Sequence, residues 1–466
     1  MRRAVLRTTL AEMSAEPFRP YVPEPRSGPA SLAKVVWLSW HEPLAIWSQR
    51  HFREPVMWGE SRLGHAMTVS DPKGIRRVML DNVQNYVKGR VQRRVLGPLI
   101  GDGLLLMEDD GWKRARRTLA PLFAPRRLAV AAHRMDEIAE ARAQSWLRRG
   151  DDALVLVDLE MTRVTFEILS ATLFSDQLGR DMAGFEHALL RYSQTAARVD
   201  PLDVVGAPGW LPRVGRIMGG SALRYFEDMV AGLIAARRAR LKDGEAPDDI
   251  TSALIRAQDP ETGAGLSDRE VAANILTFIL AGHETTARTL GWTLHLLSHS
   301  PAAAEAVAAE ADALDLADPD WMDKAPWTRA VLEEAMRLFP PAPLLTREAR
   351  GSDEVCGVEV RPGTQVLISP WVLHRHERLW DDPSAFRPER FLPGARDRID
   401  RYAYIPFGAG PRICIGAAFA LQEAMIVLSA IMRRLTVRPG DLEEPRPSQR
   451  ITLRAEKGIR LRVRRR

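Results

Sequence analysis

The sequence predicts one large domain that is mainly α-helical and carries small β-sheets. A long, almost wholly apolar helical pattern runs from Ser267 to about Ser298, whereas the strand signals are short and lie near residues 355–368 and 451–463. The helical part of the chain has no linker rich in Gly and Ser. One large domain is therefore favoured over several.

The ends of this domain follow from composition. Residues 1–35 are rich in Pro, Arg and Ser and are expected to form an extended N-terminal arm, which leaves residues 36–466 as the folded domain. Hydrophobic residues make up 45% and charged residues 27% of the chain, as in ordinary globular proteins. Two cysteines are too few for a disulfide scaffold.

The net charge of +6 does not indicate a nucleic-acid partner. Only seven of the 66 basic residues are lysine, and the arginines are spread along the chain and mostly offset by acidic residues. A solvated surface explains most of them. Some are candidates to pair with a buried anionic ligand, because the guanidinium group binds carboxylates in a bidentate manner.

Neither a transmembrane anchor nor a secretory signal is predicted. The most apolar stretch, residues 271–282, has 12 residues, whereas a span needs about 20. The N-terminus is basic but has no uninterrupted apolar region. A cytoplasmic monomer is expected, and a mitochondrial presequence remains an alternative.

Four helices stand out. Asp158–Phe174 and Leu223–Leu241 carry helical apolar patterns, and a further helix runs from about Pro326 to Phe339. The clearest begins at Ser267, where Glu270 completes a capping box. About 30 residues at ~1.5 Å each give a rod of ~45 Å, and its apolar surface on all sides predicts burial.

Two hairpins are expected. Residues 355–360 would pair with residues 364–368 across Arg361-Pro362-Gly363, and residues 451–453 would pair with residues 459–463. Cys356 would then lie in a hairpin strand, with no ligand partner near it in sequence, and is interpreted as structural.

Cys414 lies between a glycine-rich loop and a predicted helix, beside Arg412. A helix N-terminus and a neighbouring arginine both lower the pKa of a thiol and favour the thiolate. From its position alone, Cys414 could equally be a buried cysteine without a chemical role.

The string from Phe407 to Gly416 fits F-x-x-G-x-R-x-C-x-G at every fixed position. This is the haem-binding signature of the cytochrome P-450 family, and the chain resembles that family. The resemblance implies a cytochrome P-450-type domain whose long central helix crosses over a bound haem b. It also implies that the thiolate of Cys414 ligates the haem iron, which favours O–O cleavage.

Glu334 and Arg337 fit the family's E-x-x-R helix motif and, three residues apart, share one helix face. Arg390 follows in Pro388-Glu389-Arg390-Phe391, which resembles the motif that completes a buried charge cluster. The resemblance implies a structural role behind the haem for all three residues.

The middle of the long helix reads Ala281-Gly282-His283-Glu284-Thr285-Thr286. It matches the family's oxygen-activation motif, which implies that Thr285 hydrogen-bonds dioxygen and that Glu284 relays protons. A metalloprotease interpretation fails, because Ala287 stands where H-E-x-x-H needs its second His.

Further cofactor contacts follow from the resemblance. Trp112 and Arg116 fit the family's W-x-x-x-R, and they would bind a haem propionate together with Arg347 and Arg412. Phe407, which opens the cysteine loop, completes the expected haem-binding set.

The implied activity is that of a monooxygenase, which inserts one oxygen atom of O₂ into an apolar substrate such as a fatty acid, terpenoid or steroid. Contacts are expected from the segment before Trp112, from about residues 192–219 and from the long helix. The expected lining residues are Phe278, Ile279, Ala281, Leu344, Leu345 and Ile451.

Electrons would come from NAD(P)H through a reductase and a separate ferredoxin or flavodoxin, because only about 50 residues follow Cys414. Arg114 and Arg117 are candidates to meet an acidic partner. A peroxide-driven peroxygenase, an isomerase and a non-catalytic haem sensor remain alternatives. The Glu284–Thr285 pair favours the monooxygenase over the peroxygenase and the sensor.

Overall fold

In a computed structural model of the chain, the described residues are 16–61, 64–175, 178, 182–195, 200–204, 207, 210–441 and 443–466. Helices dominate, as predicted. Their bounds are Leu32–His41, Pro72–Arg76, Arg90–Ile100, Asp109–Leu119, Pro125–Leu147, Val157–Leu173, Met182–Gln194, Pro201–Val204, Val214–Lys242, Ile250–Arg256, Asp268–Ser298, Pro301–Asp312, Pro326–Leu338, Pro370–Leu373 and Ala417–Arg434.

The helix Asp268–Ser298, called the central helix below, begins as the sequence predicts. The Ser267 hydroxyl accepts the N–H of Glu270, and the Glu270 carboxylate accepts the N–H of Ser267. The helix packs closely on Val157–Leu173, where a Cβ at Gly282 would lie 2.9 Å from Leu169. Glycine therefore allows close packing there, and a larger residue would require the end of the Leu169 side chain to shift.

The predicted helix bounds agree with the structure with one extension. The expected helices at 158–174 and 326–339 are Val157–Leu173 and Pro326–Leu338, whereas the one at 223–241 lies inside the longer helix Val214–Lys242. Helix Leu32–His41 begins within the expected N-terminal arm, of which residues 1–15 lie outside the described residues. Within the described residues, no helix combines the length and hydropathy that crossing a membrane requires.

The strands of the described residues form four small sheets. The strands are β1 Val56–Ser61, β2 Gly64–Val69, β3 Tyr86–Lys88, β4 Ala153–Leu156, β5 Leu345–Ala349, β6 Asp353–Val355, β7 Val358–Val360, β8 Gln365–Ile368, β9 Leu435–Pro439, β10 Pro447–Gln449, β11 Leu453–Ala455 and β12 Arg460–Arg465. The order in the largest sheet is β1-β2-β8-β5-β3, and the smaller sheets are β4-β12-β9, β10-β11 and β6-β7.

The first predicted hairpin is wrong. β7 pairs with β6 across Cys356 and Gly357, while β8 joins the largest sheet. Both turn residues have positive φ, 51° and 78°, as a tight two-residue hairpin turn requires. Cys356 is therefore a turn residue. Burial and the nearby Asp71 raise the pKa of its thiol to about 11, which leaves it protonated and unreactive at neutral pH.

The second predicted hairpin is also wrong. β11 pairs with β10, and β12 lies between β4 and β9 in another sheet. Residues 451 and 452 are consequently loop residues between β10 and β11. This placement allows them to line the cavity described next.

Two large apolar clusters meet on the central helix. One includes Val271 to Ile279 along its first half, and the other includes Ala287 to Leu297 along its second half. Residues 281–286 contribute no buried apolar side chain to either cluster. The polar motif thus interrupts the core at the middle of the helix.

Candidate active site

A cavity of about 400 Å³, mostly apolar, opens beside the middle of the central helix. It collects residues from distant parts of the chain, including most of the sequence-predicted site. The predicted residues that line it are Trp112, Arg116, Phe278, Ala281, Glu284, Thr285, Leu344, Leu345, Arg347, Phe407, Arg412, Cys414 and Ile451.

One predicted lining residue points elsewhere. Ile279 does not line the cavity; it is fully buried in the apolar cluster of the helix's first half. Each residue turns an α-helix by about 100°, so the neighbours Phe278 and Leu280 reach the cavity when Ile279 does not. In the expected segment 192–219, Tyr192 lines the cavity, while residues 196–199, 205–206 and 208–209 lie outside the described residues.

The Cys414 side chain opens onto the cavity, although protein surrounds it. It follows the short helical turn Gly410–Arg412 and precedes the helix Ala417–Arg434. The Cys414 N–H donates to the carbonyl of Phe407 at 2.9 Å, which closes the loop. At Gly410, with φ 67°, a Cβ would collide with the Met79 carbonyl, so glycine is required.

The pKa of this thiol differs from the sequence-based expectation. Burial raises it, while the N–H of Gly416 and the charge of Arg116 act in the opposite direction. Desolvation of the thiolate outweighs both favourable contacts, so the pKa lies above its usual value rather than below it. A cation bound to the sulfur would reverse this, because metal binding displaces the proton of a thiol.

A group of cations, Lys88, Arg347 and Arg412, lies along another wall of the cavity. Lys88 and Arg347 face each other as paired positions of strands β3 and β5. Glu108 pairs with Arg412 and also accepts the backbone N–H of Lys88. The charge of Glu108 also acts on Lys88 and Arg347. The three cationic side chains are called the cavity cations below.

The cavity cations are poorly satisfied. Arg347 is 3% exposed, its Nη1 donates to the Thr346 carbonyl, and its buried Nε has no partner among the described residues. Burial, with help from Arg412, lowers the pKa of Arg347 to about 10. Burial and both arginines place the pKa of Lys88 well below its usual value. Buried charges of one sign in such excess indicate an anionic ligand.

Sequence reasoning missed Lys88 and Glu108. Lys88 lies in a segment without a motif, and Glu108 begins the acidic run Glu108-Asp109-Asp110, so both are most simply interpreted as solvated surface charges. Their role depends on the pairing of β3 with β5, which joins segments far apart in the chain.

Trp112 and Arg116 both line the cavity and contact the segment before Cys414. Arg412 stacks on the Trp112 ring, with its guanidinium carbon 4.5 Å from the ring centre. Arg116 donates to the carbonyl of Ile413, one residue before the cysteine, at 2.9 Å. Helix Asp109–Leu119 thereby contacts Arg412 and Ile413, the two residues that directly precede Cys414.

Glu334, Arg337 and Arg390 form a buried ion cluster away from the cavity, called the ion cluster below. Arg337 binds both carboxylate oxygens of Glu334 at 2.7 Å, and Arg390 lies 3.6 Å from the same carboxylate. The remaining donors of Arg337 reach the carbonyls of three residues, His374, Pro383 and Ala385. The arrangement ties the helix Pro326–Leu338 to the following irregular segment.

Glu284 and Thr285 are adjacent in sequence but have separate contacts. The Thr285 hydroxyl donates to the Ala281 carbonyl at 2.6 Å within the helix. The Glu284 carboxylate accepts the Thr452 hydroxyl at 2.8 Å and lies 3.5 Å from Arg288. Both side chains line the cavity.

Arg114 and Arg117 both form ion pairs with acidic residues of the same chain. Arg114 pairs with Glu270 at the start of the central helix, and Arg117 pairs with Asp259 and Glu261 at 3.1 Å. Their charge is largely neutralised within the chain, so the structure gives no support to these two arginines as a docking site for an acidic partner.

Comparison with known proteins identifies the class and then the family. The profile of the family described as cytochrome P450 matches residues 33–463, almost the entire chain. A solved structure, the haem domain of cytochrome P450DA, superposes with a TM-score of 0.80 at 27% identity and covers 96% of this chain and 99% of that one. The fold is that of a haem-dependent, oxygen-incorporating oxidoreductase. The chain belongs to the cytochrome P450 family.

Three relatives with curated names come from Streptomyces species. Cyclooctatin synthase of Streptomyces melanosporofaciens is 35% identical over 82% of this chain and 83% of its own. Cyclooctat-9-en-7-ol 5-monooxygenase of the same organism is 31% identical over 92% and 93%. Pentalenene oxygenase of Streptomyces avermitilis is 30% identical over 84% and 86%.

Proposed function

We propose that this chain is a cysteine-ligated haem monooxygenase that oxygenates an apolar, terpenoid-type substrate. The observation that carries this is the arrangement around one cavity. A thiol and an excess of cations line one part of it, an acid–alcohol pair lines another part, and apolar side chains cover the remainder.

The residues present fit haem b. The thiol of Cys414 opens onto the cavity and would ligate the iron as a thiolate. The cavity cations and Arg116 would bind the two carboxylates of the haem, which would supply the partner that the buried Nε of Arg347 lacks. When bound, the haem supplies the oxygen-activating chemistry, and the protein supplies binding, orientation and protons.

Glu284 and Thr285 are the residues proposed to transfer protons. The Thr285 Oγ1 lies in the polar stretch 281–286 of the central helix and donates its proton to the Ala281 carbonyl at 2.6 Å. The Glu284 carboxylate is the ionisable group beside it on the cavity wall. Glu284 would take protons from water, and Thr285 would pass them to dioxygen.

The substrate class rests on two supports. The wall near the middle of the central helix is apolar, with Phe278, Leu344, Leu345 and Ile451 among its residues. The names of three relatives refer to cyclooctatin, cyclooctat-9-en-7-ol and pentalenene. A cyclic terpenoid is therefore preferred over a fatty acid or a steroid.

Electrons are proposed to come from NAD(P)H through a reductase and a separate ferredoxin or flavodoxin. The alternative of a peroxide-driven peroxygenase would not need the Glu284–Thr285 pair. A non-catalytic haem sensor would not need that pair either.

The test combines ligation with binding. Cys414→Ser should abolish the red-shifted Soret band of the ferrous carbon monoxide complex, because a hydroxyl is a poor substitute for a thiolate donor. A mutant that keeps the band would refute the ligand assignment. In the parent protein, a spectral-shift screen should rank pentalenene above a fatty acid and a steroid of similar size. The reverse ranking would overturn the substrate class.

A further inference from the structure

Glu284 is held by two anchors that belong to different parts of the chain. One is Arg288, one turn along the same helix, and the other is the Thr452 hydroxyl from the loop between β10 and β11. In the contacts of the described residues, both anchors reach the same carboxylate oxygen, Oε1.

The two anchors are not equivalent. Arg288 is shared, since it also lies 3.8 Å from Asp158, and its contact with Glu284 is 3.5 Å. The Thr452 contact is shorter, at 2.8 Å, and Thr452 is 6% exposed, so its hydroxyl is shielded from water. Arg288 belongs to the same helix as Glu284, whereas Thr452 belongs to a separate loop.

That loop also forms part of the cavity wall. The cavity that Glu284 lines is also lined by Arg450, Ile451 and Thr452 of this loop and by Arg454 of β11. A ligand that presses on Ile451 therefore acts on the residue adjacent to the anchor of Glu284. The sequence does not indicate that this loop contacts Glu284, because residues 451–453 were predicted to form a strand of a different hairpin.

The electrostatic surroundings keep Glu284 ionised. Burial acts to raise the pKa of its carboxyl, but Arg288, His283, the Thr452 hydroxyl and Arg454 together lower it below its usual value. An ionised carboxylate carries no proton of its own at neutral pH. It must accept each proton from water, so its position decides how readily protons reach the cavity.

We propose that Thr452 is a positioning residue that ties the proton-carrying carboxylate of Glu284 to the loop that lines the substrate cavity. The inference rests on the proposed function. It adds that the supply of protons depends on how this loop sits, and thus on the substrate that contacts Ile451.

The first experiment asks whether the two side chains are coupled. Thr452→Val, Glu284→Ala and the double variant are compared by urea unfolding of the haem-loaded protein. Thr452→Val should lower the unfolding midpoint in the parent background and change it little in the Glu284→Ala background. Thr293→Val is the matched control, because the Thr293 hydroxyl donates to Thr289 of its own helix. Its effect should be the same in both backgrounds. Additive effects of Thr452→Val would overturn the proposal.

The second experiment measures positioning rather than stability. Substrate-free holoenzyme receives electrons from NADPH through a ferredoxin reductase and a ferredoxin, and peroxide released per NADPH is measured. Thr452→Val should raise this ratio at least twofold, since fewer protons arrive to complete reduction to water. Thr452→Ser, which keeps the hydroxyl, should restore the parent ratio, and Thr293→Val should leave it unchanged. An unchanged ratio in Thr452→Val would overturn the proposal.

A third comparison tests the link to the loop. Ile451→Ala should change the peroxide ratio in the parent and have no further effect in the Thr452→Val background. Equal effects in both backgrounds would show that the loop acts without Thr452. None of these measurements uses a terpenoid, so a wrong substrate class leaves them valid. The carbon monoxide spectrum of the same samples reports separately whether the cysteine-ligated haem is present.

Discussion

The ion cluster and the cavity cations are both buried and rich in arginine, yet they differ in how fully one buried arginine of each, Arg337 or Arg347, is hydrogen-bonded. In the ion cluster, all five N–H donors of Arg337 have partners, two on Glu334 and three on backbone carbonyls. The buried Nε of Arg390 lacks a hydrogen bond but lies 3.6 Å from the Glu334 carboxylate. Among the cavity cations, Arg347 has a buried Nε without a partner in the described residues, and the carboxylate of Glu108 pairs directly with Arg412.

This difference separates a structural site from a binding site. An arginine such as Arg337, whose donors are all satisfied without a ligand, stabilises the fold, and its removal leaves the buried charge of Glu334 uncompensated. A network that lacks anions costs stability until an anion binds. The two regions should therefore respond in opposite ways to the loss of an arginine.

The largest effect is expected in the ion cluster. Arg337→Ala should lower the free energy of unfolding by about 3–5 kcal/mol, because Glu334 would be left buried without its partner. Urea denaturation with and without haem measures this, and the loss should appear in both forms. Arg361→Ala is the control: Arg361 is exposed, 3.6 Å from Glu359, and should cost about 0–1 kcal/mol. A comparable loss in both variants would contradict the proposed contrast.

The next effect concerns haem affinity. Arg347→Met should weaken haem binding about 10- to 100-fold, which corresponds to the loss of a charged hydrogen bond of about 1.5–3 kcal/mol. The haem-free protein should be as stable as the parent or more stable, since repulsion among the cavity cations falls. Haem transfer to an acceptor protein and urea denaturation of the apo form provide the two measurements. Destabilised apo protein with normal haem retention would assign Arg347 to the structural class.

The smallest effect is a pH dependence. Burial, followed by the charges of Arg347 and Arg412, lowers the pKa of Lys88 in the folded protein well below its usual value of 10.5. Between these two pKa values the unfolded chain binds more protons than the folded one, so apo stability should rise with pH up to about 10.5.

Lys88→Met should remove this contribution to the slope, and bound haem should reduce it by supplying carboxylates. Unfolding free energies of parent and variant, measured from neutral to alkaline pH, provide the comparison. Parallel curves for the two proteins would show that Lys88 is charged and well solvated in the folded state.

Local patterns in the sequence predicted many residues of the candidate site. The ten residues around Cys414, the Glu334–Arg337 spacing and the motif at Glu284 and Thr285 each lie within one segment, and the structure brings their side chains to the predicted cavity or ion cluster. The capping box likewise placed the start of the central helix within one residue. These features are readable because hydrogen bonds and helical periodicity act over a few residues.

Long-range packing decided the remainder. Which strands pair, that Lys88 faces Arg347, that Ile279 turns into the core and that Thr452 reaches Glu284 all depend on segments far apart in the chain. The sequence of a short strand does not predict which strand it pairs with, because the backbone groups that form the hydrogen bonds are the same in nearly every residue. The sequence alone determined the family, the central helix and the cysteine loop. Only the tertiary structure decided which charges remain unmatched, since charge balance in a buried site depends on every element packed around it.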